Sequence, residues 1–180
     1  MEQNRWGILY CPKHGLFGGN NREKIEQCLK EQGILYDLVQ SENPNSVERL
    51  VSMLINNGYK TIIIVGGDSA LNDAVNCLMQ NSKEVRDSIS FGVIPNGVMN
   101  DFARYWGFKD SEVEQTIGWV KKGRVRKVDL GCIRYTNRKG EHCHRYFLNC
   151  VNIGLVASIM NLRRQTRRLL GLRSLSFIAS

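Results

Sequence analysis

The sequence has no apolar run approaching the eighteen residues that a membrane-spanning helix needs, and the apolar stretch in its opening residues, MEQNRWGILYC, is too short for a secretory signal. The chain therefore reads as neither exported nor inserted in a bilayer by itself, with the cytoplasm as its default place. No Cys-x-x-Cys pair occurs among the six cysteines, Cys11, Cys28, Cys77, Cys132, Cys143 and Cys150. Several lie in apolar segments, so buried free thiols are expected rather than a metal or redox motif. Acidic residues nearly vanish from the C-terminal third. Residues 121–180 hold 14 Lys or Arg against 2 Asp or Glu, a net of +12, whereas residues 1–120 hold 11 against 15, a net of −4. The overall +8 is thus all C-terminal, and predicts an anionic partner: a membrane surface, nucleic acid or nucleotide phosphates. No recognised nucleic-acid motif and no basic patch interleaved with aromatic residues accompanies the charge, which argues against nucleic acid. A length of 180 residues with 42% hydrophobic composition suits one domain and the beginning of a second.

What is present is organised around TIIIVGGDSALNDAVNCLM, residues 61–79. Thr61 to Val65 form a β-branched run without polar alternation, too short for a helix, as expected of a central strand covered on both faces. Gly66 and Gly67 allow a sharp turn and a close approach, and Leu71, Val75, Leu78 and Met79 then recur at helical spacing. Strand, glycine turn and helix aim unpaired N–H groups, and a dipole end worth about half an elementary charge, at whatever lies above the turn. Phosphate suits that place. Asp68 beside an anion site needs a cation, a hydroxyl or a helix end to serve. It implies magnesium, a sugar hydroxyl, or an N-cap for the helix that follows.

The flanking chain continues the alternation. Residues 6–11 read as the first strand, followed by a glycine-rich turn and a helix over Ile25, Cys28 and Leu29 that stops at Gly33. Lys13 in that turn is a candidate phosphate contact, and His14 has no partner visible in sequence. Residues 34–39 read as the second strand, and Ser46 as the N-cap of a ladder over Val47, Leu50, Val51, Leu54 and Ile55. Ser90 to Ile94 form the fourth strand, closed by Pro95, with a turn at Asn96 and Gly97. Val98 to Trp106 read as a short helix with Asn100, Asp101 and Arg104 near its exposed start and Phe102, Tyr105 and Trp106 packed. Asp110 or Ser111 is expected to cap a helix through Val113, Ile117 and Val120. From Arg124, alternating segments on either side of TNRKGE predict an antiparallel hairpin with one wet and one dry face. His142 and His144 would share a strand face, and no third zinc ligand is evident. The last segment begins as a basic amphipathic helix, with Leu155, Ile159, Leu162 and Leu169 on one face and Arg163, Arg164, Arg167 and Arg168 opposite.

Two of these segments resemble a known family. GGDSALNDAVN is similar to the GGDGT-x-N-E/D-x-x-N signature of the diacylglycerol kinase catalytic domain family, bacterial lipid kinases related to sphingosine kinases. GVIPNGVMNDFARYWG, residues 92–107, is similar to that family's second motif, in which the run Asn100 to Arg104 is characteristic. Asp129 matches an aspartate at the family's hairpin strand, and Asn152 to Gly154 a segment before its next helix. The resemblance implies an α/β, Rossmann-like, doubly wound and mostly parallel sheet of the NAD kinase and phosphofructokinase type. A C-terminal antiparallel hairpin and the basic helix would follow. Residues 1–123 would be the nucleotide-binding domain, 124–154 a hairpin of that domain or the start of the second, and 155–180 a helix leading towards a β-sandwich domain.

It also implies ATP and magnesium as ligands and a lipid hydroxyl as acceptor. The expected nucleotide-binding residues are Lys13, Ser41, Gly66, Gly67, Asp68, Ser69, Ala70, Leu71, Asn72, Gly97 and Val98, with Asp68 and Asp101 as cleft carboxylates. Asp68 would meet the magnesium carried by the nucleotide. The catalytic base and further magnesium carboxylates belong to the family's second domain, which the 180 residues are expected not to reach, so turnover by the chain alone is not expected. The four arginines would face an anionic inner membrane surface, making the protein peripheral there, unless the helix is covered by the rest of the protein. A second copy of the chain is a further candidate partner. Two departures stand out: the family's threonines are replaced by Ala70 and Val98. A neutral hydrogen bond contributes about 0.5–1.5 kcal/mol, so losing two weakens nucleotide binding by roughly ten-fold to a hundred-fold. A non-catalytic nucleotide-sensing or membrane-docking module and an NAD kinase-like enzyme are the alternatives.

Overall fold

The structure, a computed structural model, describes residues 5–13, 21–152 and 154–170, with only the backbone described at residue 44 and over 163–170. His14 with most of its glycine-rich turn, Ile153, and the side chains of Arg163, Arg164, Arg167, Arg168 and Leu169 therefore lie outside the description.

Four strands, β1 (Trp6–Tyr10), β2 (Tyr36–Gln40), β3 (Thr61–Gly66) and β4 (Ser90–Pro95), form one parallel sheet in the order β2-β1-β3-β4. The β-branched run is central, as its lack of polar alternation predicts. Successive side chains of β3 point to opposite faces, and each face meets its own cluster. Ile62 and Ile64 pack with Leu9, Val93 and residues of α2 (Val47–Asn56), α3 (Asp68–Met79) and α5 (Asp101–Tyr105). Ile63 and Val65 pack with Ile8, Tyr10, Ile94 and residues of α1 (Arg22–Glu31) and α6 (Val113–Lys121). This is the doubly wound arrangement, with helices on both faces of a parallel sheet. The short α4 (Lys83–Ser88) links α3 to β4 and is capped by the Ser82 hydroxyl, which accepts from the Val85 amide.

Several local expectations are corrected. Ser46 stands at the N-cap position of α2 as expected, but its side chain makes no capping bond: it ends a 3₁₀ turn, Pro44–Ser46, and its hydroxyl donates backwards to the Asn43 carbonyl at 2.7 Å. Neither Asp110 nor Ser111 caps α6, whose preceding residue is Glu112 without a side-chain cap. The second strand starts at Tyr36. The helix expected from Val98 is delayed to Asp101 because Asn100 takes a left-handed conformation, φ 54°. Asparagine tolerates that region by bonding locally, here accepting from the Gly97 amide at 2.7 Å and donating to the Gly97 carbonyl. Asn100 is consequently buried, while Tyr105 and Trp106, expected to pack, are on the surface. Of the cysteines, Cys28 and Cys77 are buried, whereas Cys132 and Cys150 are exposed; all six are free.

The hairpin forms, but its first strand starts at Gly131 rather than Arg124: β5 (Gly131–Thr136) pairs antiparallel with β6 (His142–Phe147). Its expected dry face is only half-buried. What fixes it is polar. The amide of Asn76 on α3 donates to the Tyr146 carbonyl at 2.9 Å and accepts from the Tyr146 N–H at 2.9 Å, so a buried side chain pairs with β6 as a neighbouring strand would. Arg145 forms an ion pair with Asp73, also on α3. The final helix, α7 (Leu155–Leu170), exposes every described side chain from Leu155 to Leu162.

Candidate functional site

The parallel strands end at one edge, and the connection reverses direction between β1 and β3, the position at which open α/β sheets bind ligands. The loops after β1, β3 and β4 meet there. Gly66 closes β3 opposite Pro95, and Gly67, with extended backbone, precedes the first turn of α3. The first amide satisfied within that helix is Leu71, which donates to the Gly67 carbonyl at 3.1 Å. The amides of Asp68, Ser69 and Ala70 lack an intrahelical acceptor and stand at the positive end of the helix.

The second turn, residues 96–100, lies directly against the first. A Cβ added to Gly97 would come within 2.5 Å of the Gly67 Cα and 2.6 Å of Asn100 Oδ1, and one added to Gly67 would come within 3.0 Å of the Gly97 Cα. Both glycines are needed because backbone touches backbone. Two side chains hold the contact. Asn100 braces its own turn through Gly97, as above. Asp68 reaches across: its carboxylate accepts from the Asp101 amide at 2.9 Å and the Phe102 amide at 2.9 Å. Of the roles open to Asp68, the structure displays service to a helix end, but that of α5 rather than of its own helix. Asn149, in the segment leaving the hairpin, donates to the same carboxylate at 3.4 Å. The side chain of Asp101 is exposed and its backbone is the part engaged.

The remaining expected residues divide by burial. Ala70 and Leu71 are buried in the core cluster beneath the turn, so their side chains face the sheet and only their backbone is at the edge. Ser69 and Val98 are exposed, and Asn72 half-buried. Ser41 is buried just beyond β2; its amide donates to the Tyr10 carbonyl at 2.8 Å and its hydroxyl meets the Cys11 thiol. Burial pushes the Cys11 thiol up from its ordinary value, against that hydrogen bond. Lys13 lies 3.7 Å from the Asp110 carboxylate in the connection between α5 and α6. Burial raises the Asp73 carboxyl, opposed by the Arg145 guanidinium.

Sequence reasoning passed over Asn96. Its amide donates to the Cys11 carbonyl at 3.0 Å, tying the ends of β1 and β4 across β3, while its Oδ1 is buried with no partner. Nor did it find the links from Asp68 to α5 and Asn149, or from Asp73 and Asn76 to β6. These join residues 33 to 81 positions apart and leave no local signal. Among the described residues no three His, Cys, Asp or Glu side chains group as a metal site, and no helix is long and apolar enough to cross a membrane. The backbone amides at the start of α3 and the two abutting glycines fit a phosphate.

Comparison with known proteins agrees with this geometry. The sequence model of the diacylglycerol kinase catalytic domain matches residues 6–133. A Bacillus subtilis (strain 168) protein named as a lipid kinase, YtlR, is 31% identical over 160 residues, covering 87% of this chain and 50% of its own length. A YegS-like lipid kinase of Shewanella frigidimarina (strain NCIMB 400) is 30% identical over 131 residues, 73% of this chain and 39% of its own. The chain thus spans half or less of the length of these curated relatives. In fold it resembles the crystal structure of a diacylglycerol kinase from Bacillus anthracis str. Sterne, with a TM-score of 0.59 at 22% identity over 78% of this chain and 45% of that one. With the abutting glycine turns, the Asn100 to Arg104 run and the family match all falling on the same stretch of chain, this protein belongs to the diacylglycerol kinase catalytic domain family.

Proposed function

We propose that the chain is the nucleotide-binding part of an ATP-dependent lipid kinase that transfers the γ-phosphoryl group to a hydroxyl of a diacylglycerol-like lipid. The observation that carries this reading is the backbone contact between Gly67 and Gly97 beside the amides of Asp68, Ser69 and Ala70, a phosphate cradle at the ligand-binding edge of the sheet. Residues 66–72 with Gly97 hold the phosphates through backbone N–H groups, and Ser41 and Lys13 border them. Asp68 keeps the two turns in register and, beside the cradle, would face a magnesium ion carried by the nucleotide, which would supply charge neutralisation for the phosphates. Phosphoryl transfer further needs a group that positions the attacking hydroxyl in line, which we place outside the matched residues. We assign residues 1–123 to the nucleotide-binding domain, 124–154 to the hairpin, and 155–180 to a segment beyond it that begins with α7. The site of action is the cytoplasmic face of the membrane. The relatives are named as lipid kinases, and no feature of the cleft favours a dinucleotide acceptor.

Ala70 supports a second reading. Because it is buried beneath the turn and Val98 carries no hydroxyl, neither position offers the phosphates a side-chain donor, as would suit a module that senses nucleotide without turning it over. Calorimetric titration with magnesium-ATP tests both. Val98→Thr adds a hydroxyl at an exposed position without disturbing the core, and one further hydrogen bond tightens binding by about two- to ten-fold. Absence of binding by both the parent chain and the variant would remove the nucleotide reading.

A further inference from the structure

Three aromatic rings stand on the surface at one edge of the molecule: Tyr105 is 82% exposed, Trp106 37% and Trp119 47%. They come from two elements that the fold brings together, the end of α5 and the last turns of α6. Both tryptophans line one cleft of about 320 Å³ with Phe108 and Thr116. The Tyr105 ring meets that of Trp106 edge to face at 5.3 Å. A cation accompanies each tryptophan: Lys122 Nζ lies 4.1 Å from the centre of the Trp119 ring, and the Arg126 guanidinium 6.0 Å from that of Trp106. These cations belong to residues 121–127, where Lys121, Lys122, Arg124, Arg126 and Lys127 occur without an acidic residue and all are exposed. Two acids near the cleft are each paired with a lysine, Glu112, which lines the cleft, with Lys109 at 2.9 Å and Asp110 with Lys13.

Scattered exposed rings need no explanation, but a cluster of three with cations over it does. Tryptophan and tyrosine settle at the headgroup level of a bilayer, where the ring is apolar on one side and wet on the other, and lysine and arginine beside them meet lipid phosphates. A duplex nucleic acid would account for the cations and leave the rings and the exposed Val125 without a role. We propose that this α5–α6 edge docks on an anionic phospholipid bilayer. The docked face holds α5, whose start is fastened by Asp68 to the nucleotide turn, against the lipid. The exposed Val98 and Met99 of the second turn precede the same helix. Docking does not depend on nucleotide, and it involves residues other than the arginines of α7.

The test is co-sedimentation of the full chain, without nucleotide, with phosphatidylcholine vesicles that either contain or lack phosphatidylglycerol. Three variants are compared: Lys122→Glu with Arg126→Glu; Trp106→Ala with Trp119→Ala; and all four arginines Arg163, Arg164, Arg167 and Arg168→Gln. Each cation at an anionic surface changes binding by about five-fold, so the double charge reversal weakens binding by about thirty-fold or more. The expected result is binding to the anionic vesicles alone, lost in the charge variant, weakened in the tryptophan variant and retained in the α7 variant. Tryptophan emission of the parent chain shifts to the blue on binding. Binding lost only in the α7 variant, binding absent altogether, or tight binding to duplex DNA that the charge reversal abolishes while vesicles are ignored would each overturn the proposal. Magnesium-ATP titration of the same samples keeps failure of docking distinct from failure of the nucleotide reading.

Discussion

Asp68 shows how the fold chooses among the tasks that a sequence leaves open to one side chain. A carboxylate after a glycine pair has to serve something positive, and two N–H groups of α5 supply it. Loss of a side-chain cap costs about 0.5–2 kcal/mol, so Asp68→Ala is expected to lower stability in urea by that amount and to weaken nucleotide binding by loosening the second turn. Asp68→Asn, which keeps one acceptor oxygen, loses less of both. At the opposite edge of the sheet, Tyr59 donates to Asp37 and Arg5 pairs with it at 2.9 Å. The Tyr59 hydroxyl, aided by Arg5, holds the Asp37 carboxyl below its ordinary 3.8, and Asp37 in turn raises Tyr59 above its ordinary 10.0. Folding support from this bond is complete between those ordinary values. It is lost as pH falls below 3.8 through the lowered value of Asp37, and as pH rises above 10.0 through the raised value of Tyr59. In Tyr59→Phe, the Asp37 titration followed by NMR moves upward, because its largest depressing contact is gone.

At the scale of elements, the parts of the chain with a clean period were legible. Thr61 to Val65 announced a central strand because both of its faces had to be apolar, and the glycine pair announced a turn that something must approach closely. The misread boundaries each have a local bond that competes with the helix. Asn100 turns left-handed on its bonds to Gly97 and so delays α5, and Ser46 bonds back to Asn43 instead of forward into α2. The hairpin was legible as a hairpin, but not its attachment, since Asn76 and Tyr146 are 70 residues apart. That attachment makes a prediction. Asn76→Ala removes both hydrogen bonds to Tyr146, worth about 0.5–1.5 kcal/mol each, so the Tyr146 amide exchanges with solvent faster by about ten-fold or more while amides of β3 keep their protection.

For the molecule as a whole, the strong charge asymmetry was visible from the start, with an anionic membrane surface as its candidate partner, but not which cations the fold sets beside aromatic rings. The aromatic residues that accompany the cations on the surface are Tyr105, Trp106 and Trp119, ahead of the basic segment in sequence, and only the fold brings the end of α5 and the outer face of α6 to one cleft. The pairing of β3 with β4, which sets Gly66 opposite Pro95, likewise lets glycine turns from separate strands share one contact, and on that contact the account of the protein rests. The most direct measurement is the affinity of magnesium-ATP for the parent chain and for Gly97→Ala, with thermal melting to confirm that both are folded. The added methyl group would push against the Gly67 Cα and part the turns. The account predicts that the parent chain binds and the folded variant binds at least about ten-fold more weakly, a difference of about 1.4 kcal/mol. Equal binding by a folded Gly97→Ala chain would contradict it.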